Sequence, residues 1–433
     1  MTCVTVAAAG LALPGVASAA PMPAPAHGCR DASVVGTVEE QRLSRSIGTG
    51  QAAVPAQLLR LSGFDQLTDG FSAALCSVHS AAGARAAVAA SGRLLWRTAV
   101  RRAGDPRPTA PGALPGDDDR PLYWARLTMT LALRQWTPRF ALSDAERAGL
   151  EHDLDYASRG ITSSDFRPEP GVRKLFVTGF DPFSLDQDIR IGNPAGAAVL
   201  SLDGRILDVN GTRVQVRSVV LPVRYADFDA GIAEDALRPH LAPGPQQADM
   251  VTTISQGRPG KFDLEVWNGR RRDVPASYGD NDNVWGGGTP QAPVVFPGVA
   301  PGPEFTRTTL PVDAMAAAPT GPFPVNVDLP VLEIPAGGTA PVTAPNGPTP
   351  GSVAVEGGGG GYLSNEIAYR DTLLRDELAP SLPAGHLHTP VLTMADDDST
   401  QLTDPVFEQN RATIVAQVRQ LLRAGLAATE DSR

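Results

Sequence analysis

The sequence predicts an α/β fold, a helix-covered and largely parallel sheet (an αβα sandwich) preceded by a helical N-terminal region. Before about residue 160, apolar residues recur every three to four positions, which is typical of helices. After about residue 172, short β-rich runs alternate with helical stretches, as in a parallel sheet covered by helices. The 433 residues, 42% of them hydrophobic, are enough for two domains with packed interiors.

The first 37 residues are predicted to be a signal peptide (1–19) and a linker (20–37). Met1 to Leu13 is small and apolar, and Ala17-Ser18-Ala19 is a small-residue pattern of the kind that signal peptidase cleaves. We therefore expect a secreted, extracellular protein. The alternative is an unstructured alanine-rich tail. No apolar run approaches the roughly 20 residues needed to span a bilayer, so no membrane anchor is expected.

Removal of the signal peptide would take away Cys3 and leave Cys29 and Cys76 as the cysteines of the mature chain. In an oxidising compartment such a pair is expected to form a disulfide, worth roughly 4 kcal/mol for a loop of this size. The alternative is two unrelated buried thiols. No cysteine follows Cys76, so the second domain has no thiol nucleophile.

Composition argues against several classes of function. The net charge is −10, and Arg270 to Arg272 is the longest basic run, so nucleic acid is not an expected partner. No spacing of His, Cys, Asp and Glu matches a zinc site, and no phosphate-binding P-loop is present. Neither a metal nor a cofactor is expected.

Residues 38–165 are predicted to be a helical region without a catalytic constellation, acting as a cap or platform for the second domain. Ser143 followed by Glu146 has the spacing of a capping box, which predicts the start of a helix. The other predicted helices have apolar residues at helical spacing: Ala52–Leu61, Leu67–Val78, Ala81–Arg101 and Leu122–Trp136.

Residues 172–433 are predicted to form the α/β domain. Asn193 followed by Pro194 predicts a helix start, with Asn193 as its N-cap. Residues 284–352 are rich in Pro, Gly, Ala and Thr and are expected to be a lid or a surface excursion. The remaining predicted elements alternate in type: strands Lys174–Thr178, Val214–Val223, Met250–Ile254 and Leu387–Leu392, and helices Tyr225–Leu241, Asn365–Leu378 and Asp404–Leu426.

Three segments carry residues suited to chemistry. Phe180 and Phe183 follow the first strand, where doubly wound sheets bind ligands, although ordinary core packing explains them equally well. A run of five glycines precedes Ser364 at a predicted helix start, where backbone N–H groups stabilise an oxyanion; the alternative is a simple N-cap. His388 lies on an apolar run and is a candidate base, or else a hydrogen-bonded core residue.

Taken in order, these segments resemble the pyroglutamyl peptidase I family. The resemblance covers about residues 173–426, and Ser364 stands where the family has its nucleophilic cysteine. The matching segments share the family's residue pattern and chain order: Thr178–Phe183 (TGFDPF), Asn193-Pro194, Gly257–Glu265 followed by Asn268, Leu310-Pro311, Gly360–Asn365 (GGYLSN) with Tyr369, and His388–Pro390 (HTP).

The resemblance implies a set of roles. It makes Ser364 the nucleophile, His388 the base and Glu265 the acid that orients the base. It also places Phe180 and Phe183 beside the lactam ring of the substrate, with Gln256 as its hydrogen-bond partner. The family removes N-terminal pyroglutamate from peptides. We therefore expect a hydrolase with this activity, or else a catalytically inactive homologue that binds peptides or a protein. A third alternative is a hydrolase of a different amide or ester.

The exchange of cysteine for serine is compatible with an active serine hydrolase and with an inactive homologue. A helix N-terminus can hold a thiolate at neutral pH, but it cannot ionise a serine hydroxyl. The hydroxyl must instead transfer its proton to the base as it attacks.

Overall fold

A computed structural model describes residues 28–105, 107, 112–275, 277–395 and 400–429. The predicted signal peptide and the linker as far as residue 27 lie outside these residues. No helix in the described part of the chain is long and apolar enough to cross a membrane.

The N-terminal region is helical, as predicted. Ser143 and Glu146 form the expected capping box at the start of α6, and Cys29 forms a disulfide with Cys76, at the end of α3. Short 3-10 turns occupy Arg42–Ser44 and Ile161–Ser163. The α-helices of this region are α1 (Val38–Gln41), α2 (Val54–Ser62), α3 (Asp65–Ser77), α4 (Ala81–Ala103), α5 (Arg120–Arg134) and α6 (Asp144–Ser158).

The remainder of the chain, from Arg173 onward, contains both strands and helices. They are β1 (Arg173–Phe180), α7 (Pro194–Leu202), β2 (Ile206–Val209), β3 (Thr212–Leu221), α8 (Tyr225–Asp229), α9 (Ile232–Leu241), β4 (Met250–Gln256), β5 (Phe262–Glu265), β6 (Trp267–Gly269), β7 (Arg271–Arg272), β8 (Val294–Val295), β9 (Phe305–Arg307), α10 (Val312–Ala317), β10 (Val325–Asp328), β11 (Val331–Ile334), β12 (Val342–Ala344), β13 (Val353–Glu356), α11 (Leu363–Leu378), β14 (Ala384–Thr389) and α12 (Pro405–Ala428).

The main sheet has seven strands in the order β10-β5-β14-β4-β1-β3-β2. Its pairs are parallel except β14 with β5 and β2 with β3, so the predicted α/β class is confirmed. Alternate residues of β1 face opposite layers. Val177 belongs to the core shared with α7, α12 and the N-terminal helices, whereas Phe176 packs with residues of α9 and α11.

Two segments differ from the sequence prediction. The helix expected over Tyr225–Leu241 is two helices, because Gly231 adopts a left-handed conformation (φ 96°) between them. Residues 284–352 also contain more regular structure than an irregular excursion would. One of their strands, β10, pairs with β5 at the edge of the main sheet, and β11 lies between β12 and β13 in a separate three-stranded sheet. Strands of three or four residues are too short to give a clear periodic pattern.

The helical region holds the loop that follows β1. Asp181, the first residue of this loop, is buried, and both of its carboxylate oxygens lie 2.8 Å from Nη1 of Arg126 on α5. Arg159, at the end of α6, donates to the same carboxylate at 2.6 Å. At the far end of the loop, Asp119 accepts a hydrogen bond from the backbone N–H of Asn193 at 2.8 Å. The N-terminal helices therefore fix both ends of the segment that carries Phe183.

We predict that Arg126→Met lowers the free energy of unfolding by about 3 kcal/mol or more, because it leaves a buried carboxylate with only one of its two cations. Urea denaturation measures this change. Arg97→Met, on an exposed part of α4, is the control and should stay within about 0.5 kcal/mol of the wild type. A loss below about 1 kcal/mol for Arg126→Met would show that Arg126 is not needed to neutralise Asp181.

Candidate active site

Four of the six site residues predicted from the sequence line one cavity of about 510 Å³, namely Phe183, Gln256, Ser364 and His388. Ser364 reaches it from the first turn of α11, His388 from β14 and Gln256 from the end of β4. Phe183 lines the same cavity. Glu265, at the end of β5, lies behind His388 and is buried. Segments more than 100 residues apart in the chain therefore meet at one place.

His388 and Glu265 form a direct pair. The distance between His388 Nδ1 and Glu265 Oε1 is 2.6 Å. Burial raises the pKa of Glu265, and the hydrogen bond from His388 opposes that rise. With Nδ1–H donated to this carboxylate, Nε2 is the ring nitrogen left to accept a proton, and it has no hydrogen-bond partner among the described residues. A carboxylate in this position orients the imidazole and stabilises its protonated form.

Ser364 is the second residue of α11 and does not cap it. Tyr362 occupies the N-cap position without a side-chain hydrogen bond, and no other side chain in the described ranges accepts from the N–H groups of the first helical turn. The Ser364 hydroxyl donates to the carbonyl of Gly359 at 3.0 Å. Within the described residues it makes no hydrogen bond to His388. The hydroxyl and the imidazole thus share a cavity but are not joined in this conformation.

The glycine run before Ser364 packs closely against the site. A Cβ atom on Gly358 would overlap Glu265 Oε2, and one on Gly361 would overlap Asp273 Oδ1. A Cβ on Gly359 would lie 3.2 Å from Cε1 of His388. Because these glycines have no side chains, the backbone packs directly against Glu265, Asp273 and His388.

A small aromatic pocket lies beside Ser364. Phe180 is buried and stacks on Phe228 with ring centroids 6.0 Å apart, and the half-buried Phe183 lies 6.5 Å from Tyr362. A cavity of about 30 Å³ remains between these rings, Gln256 and Ser364. That volume suits about one water molecule, so a five-membered lactam would have to displace Phe183 or Tyr362.

Sequence reasoning missed Tyr362 as part of this pocket. Its ring also contacts Tyr225 and Tyr278, with centroids 5.5 and 5.0 Å away. The glycines before Tyr362 drew attention to the helix start, and no local pattern indicates that three tyrosines from distant segments will meet. Gln256, which was predicted to bind substrate, lines both cavities and accepts a hydrogen bond from the backbone of Leu392 at 3.2 Å.

A pair of carboxyl groups that the sequence did not reveal also belongs to the site. Glu356, at the end of β13, lines the large cavity and is hydrogen-bonded to Asp273. Burial, together with the neighbouring Asp273 carboxylate, raises the pKa of Glu356 to about 7. Burial also raises the pKa of Asp273. The two carboxyl groups thus retain a proton near neutral pH. No group of His, Cys, Asp and Glu that could hold a metal ion occurs in the described part of the chain.

We predict that the free energy of unfolding falls as the pH rises towards about 7 and Glu356 loses the proton that it holds in the folded state. The folded-state pKa of about 7 exceeds the ordinary value of 4.5, so the folded state holds the extra proton between these values and loses its advantage as the pH rises through about 7. Glu356→Gln keeps a hydrogen-bond donor for Asp273 and should reduce this loss. The free energy of unfolding, measured at about pH 5 and about pH 8, checks this prediction.

The exposed Glu377 provides a matched control, and Glu377→Gln should keep the wild-type difference between the two pH values. An unchanged difference in Glu356→Gln would show that Glu356 titrates at the same pH in the folded and unfolded chains.

Comparison with known proteins finds relatives over most of the chain. Residues 18–155 match the family model described as the PA0049 N-terminal domain, and residues 174–297 and 331–393 match the PA0049 C-terminal domain. The uncharacterized protein PA0049 of Pseudomonas aeruginosa is 32% identical over 476 aligned residues, which cover 86% of this chain and 84% of that protein. Glu265, Ser364 and His388 all lie within the matched ranges of the C-terminal domain.

The α/β region is also similar to pyrrolidone-carboxylate peptidases. The enzyme of that name from Lacticaseibacillus paracasei is 26% identical over 246 residues, covering 54% of this chain and 87% of the enzyme. Among solved structures, pyrrolidone carboxyl peptidase from Thermococcus litoralis is 16% identical with a TM-score of 0.39, covering 60% of this chain and 96% of its own. A mutant of the Pyrococcus furiosus enzyme is 18% identical with a TM-score of 0.38, covering 59% of this chain and 99% of its own.

Proposed function

We propose that this chain, which belongs to the PA0049 family, is a secreted pyroglutamyl-peptidase-like hydrolase. In this proposal it removes N-terminal pyroglutamate from peptides, and a serine takes the place of the thiol nucleophile. The observation that carries the proposal is the His388–Glu265 pair, 2.6 Å long, in the wall of the cavity that Ser364 also lines. The sequence similarity to a pyrrolidone-carboxylate peptidase supports the choice of substrate.

In the proposed reaction, the Ser364 hydroxyl attacks the carbonyl carbon that joins pyroglutamate to the next residue. His388 Nε2 accepts the hydroxyl proton, and Glu265 stabilises the imidazolium that forms. The proton then passes to the leaving amine, and water hydrolyses the acyl-enzyme. The uncapped N–H groups at the start of α11 are placed to stabilise the oxyanion.

This reaction requires the Ser364 side chain to rotate away from the Gly359 carbonyl and towards His388. A rotation about χ1 exchanges staggered rotamers and needs no change in the backbone. Once the serine has turned, the lactam would lie between Phe180 and Phe183, with Gln256 as its hydrogen-bond partner.

The large cavity offers room for the peptide that leaves. Beyond Ser364 and His388 its wall is formed by Pro330, Val331 and Leu332 at the start of β11, and by Thr343 of β12. The glycine loop and Gln256 line the same cavity. A cavity of about 510 Å³ is much larger than a pyroglutamyl group needs, which supports a peptide as the substrate.

A second candidate function is peptide binding without catalysis. The observation that favours it is that the Ser364 hydroxyl donates to Gly359 and, among the described residues, makes no hydrogen bond to His388. The small volume of the aromatic pocket points the same way. With this function the pocket is retained as a peptide-binding site, and Ser364 does not act as a nucleophile.

Hydrolysis of a fluorogenic pyroglutamyl amide distinguishes the two functions. We predict that the wild type turns over this substrate and that Ser364→Ala lowers kcat/KM by about 10³-fold or more, because the nucleophile is lost. Ser77→Ala, at an exposed site on α3, is the control and should retain full activity. Turnover by Ser364→Cys alone would instead support the binding function, with an intact pocket that lacks only its thiol. Neither turnover nor binding of pyroglutamyl peptides by any variant would exclude both functions.

Secretion is tested separately. We expect the mature chain in the culture medium, with its N-terminus near residue 20 by mass spectrometry. A chain that stays in the cell with its first 19 residues intact would contradict this part of the proposal.

A further inference from the structure

A second large cavity, of about 520 Å³, lies between the end of α4, strand β2 and helix α12. It shares no lining residue with the Ser364 cavity. Three arginines line it: Arg205 beside β2, and Arg419 and Arg423 one turn apart on α12. We call these residues the arginine cluster.

Among the described residues, no carboxylate pairs with the arginine cluster. Arg205 donates only to the backbone carbonyl of Gly104, at 2.6 Å. Arg423 Nε is buried without a hydrogen-bond partner. Asp117 also lines the cavity, but its carboxylate is held by Arg411 at 3.0 and 3.2 Å. The three guanidinium groups therefore line one cavity whose one lining carboxylate, Asp117, is paired with Arg411 instead.

Arg205 is exposed, and Arg419 and Arg423 are half-buried. The protein has a net charge of −10. Its most deeply buried arginines each have a carboxylate partner, as Arg126, Arg159 and Arg370 do. Burial lowers the pKa of Arg419, and the neighbouring charges of Arg205 and Arg423 lower it further. Like charges crowded into a partly buried cavity destabilise the fold unless an anion neutralises them.

From this cluster we propose that the cavity binds a multivalent oxyanion, specifically a phosphate group. Guanidinium groups present planar, paired donors that match phosphate oxygens, and several of them together favour a doubly charged anion over chloride. The phosphate comes either from a free anion or from the headgroup of an anionic lipid. Leu207 and Val415, which line the same cavity, supply an apolar surface beside the charges. The proposal does not depend on the peptidase function.

Thermal denaturation of the full chain with added inorganic phosphate, at an ionic strength held constant with chloride, tests the proposal. Phosphate should raise the Tm of the wild type by about 2–5 °C, because it binds only the folded state. The double variant Arg419→Gln/Arg423→Gln should lose this shift and bind phosphate at least tenfold more weakly by calorimetry. Arg238→Gln, on the exposed face of α9, is the control and should keep the wild-type response.

Two further measurements keep the test decisive. Without phosphate, Arg419→Gln alone should be at least as stable as the wild type, because it relieves like-charge repulsion, whereas a purely structural arginine would lose stability. Vesicles containing phosphatidylglycerol separate the two sources of phosphate: binding to vesicles without a response to free phosphate identifies a lipid headgroup. Equal responses of wild type and double variant, or no binding to phosphate or vesicles, would overturn the proposal.

Discussion

The carboxylate of Asp181 lies at the junction between the two regions of the chain, and much of the site depends on how it is neutralised. It is buried at the carboxyl end of β1, where Arg126 and Arg159 of the helical region both contact it. A buried carboxylate is costly without such partners. The loop that Asp181 begins carries Phe183 and leads to the Asn193 cap of α7. The helical region is thus part of the framework of the site.

The fold could be predicted from the sequence wherever local chemistry decides the structure. Ser143 and Asn193 cap helices because their side chains satisfy nearby N–H groups, whatever the rest of the chain does. The long amphipathic helices and the buried strands follow from periodicity. Strand β10 could not be predicted this way, because its four residues become a strand only by pairing with β5. The break at Gly231 was also missed, since an isolated glycine in a helical pattern has no fixed outcome.

The site residues also fall into two groups, those that a local motif indicates and those that only contacts between distant segments reveal. Ser364, His388 and Glu265 were found through motifs that resemble a known family, and the structure brings the histidine and the glutamate into contact. Glu356 and Tyr362 were not found, because their importance comes from neighbours in distant segments of the chain. The sequence did not determine which way the Ser364 hydroxyl faces, and in this conformation it donates to the Gly359 carbonyl. A motif gives the identity of a residue, but the rotamer depends on the packed surroundings.

The glycine run restricts how this chain can change during evolution. Gly358 leaves no room for a methyl group because Glu265 occupies that space, and Gly361 is blocked in the same way by Asp273. An alanine at position 358 would require the Glu265 carboxylate to move or a shorter residue to replace it, and either change would disturb the contact with His388. Each glycine is therefore required as long as the acid opposite it is present. Lineages that retain the acid are expected to retain the glycine, whether or not the serine still reacts.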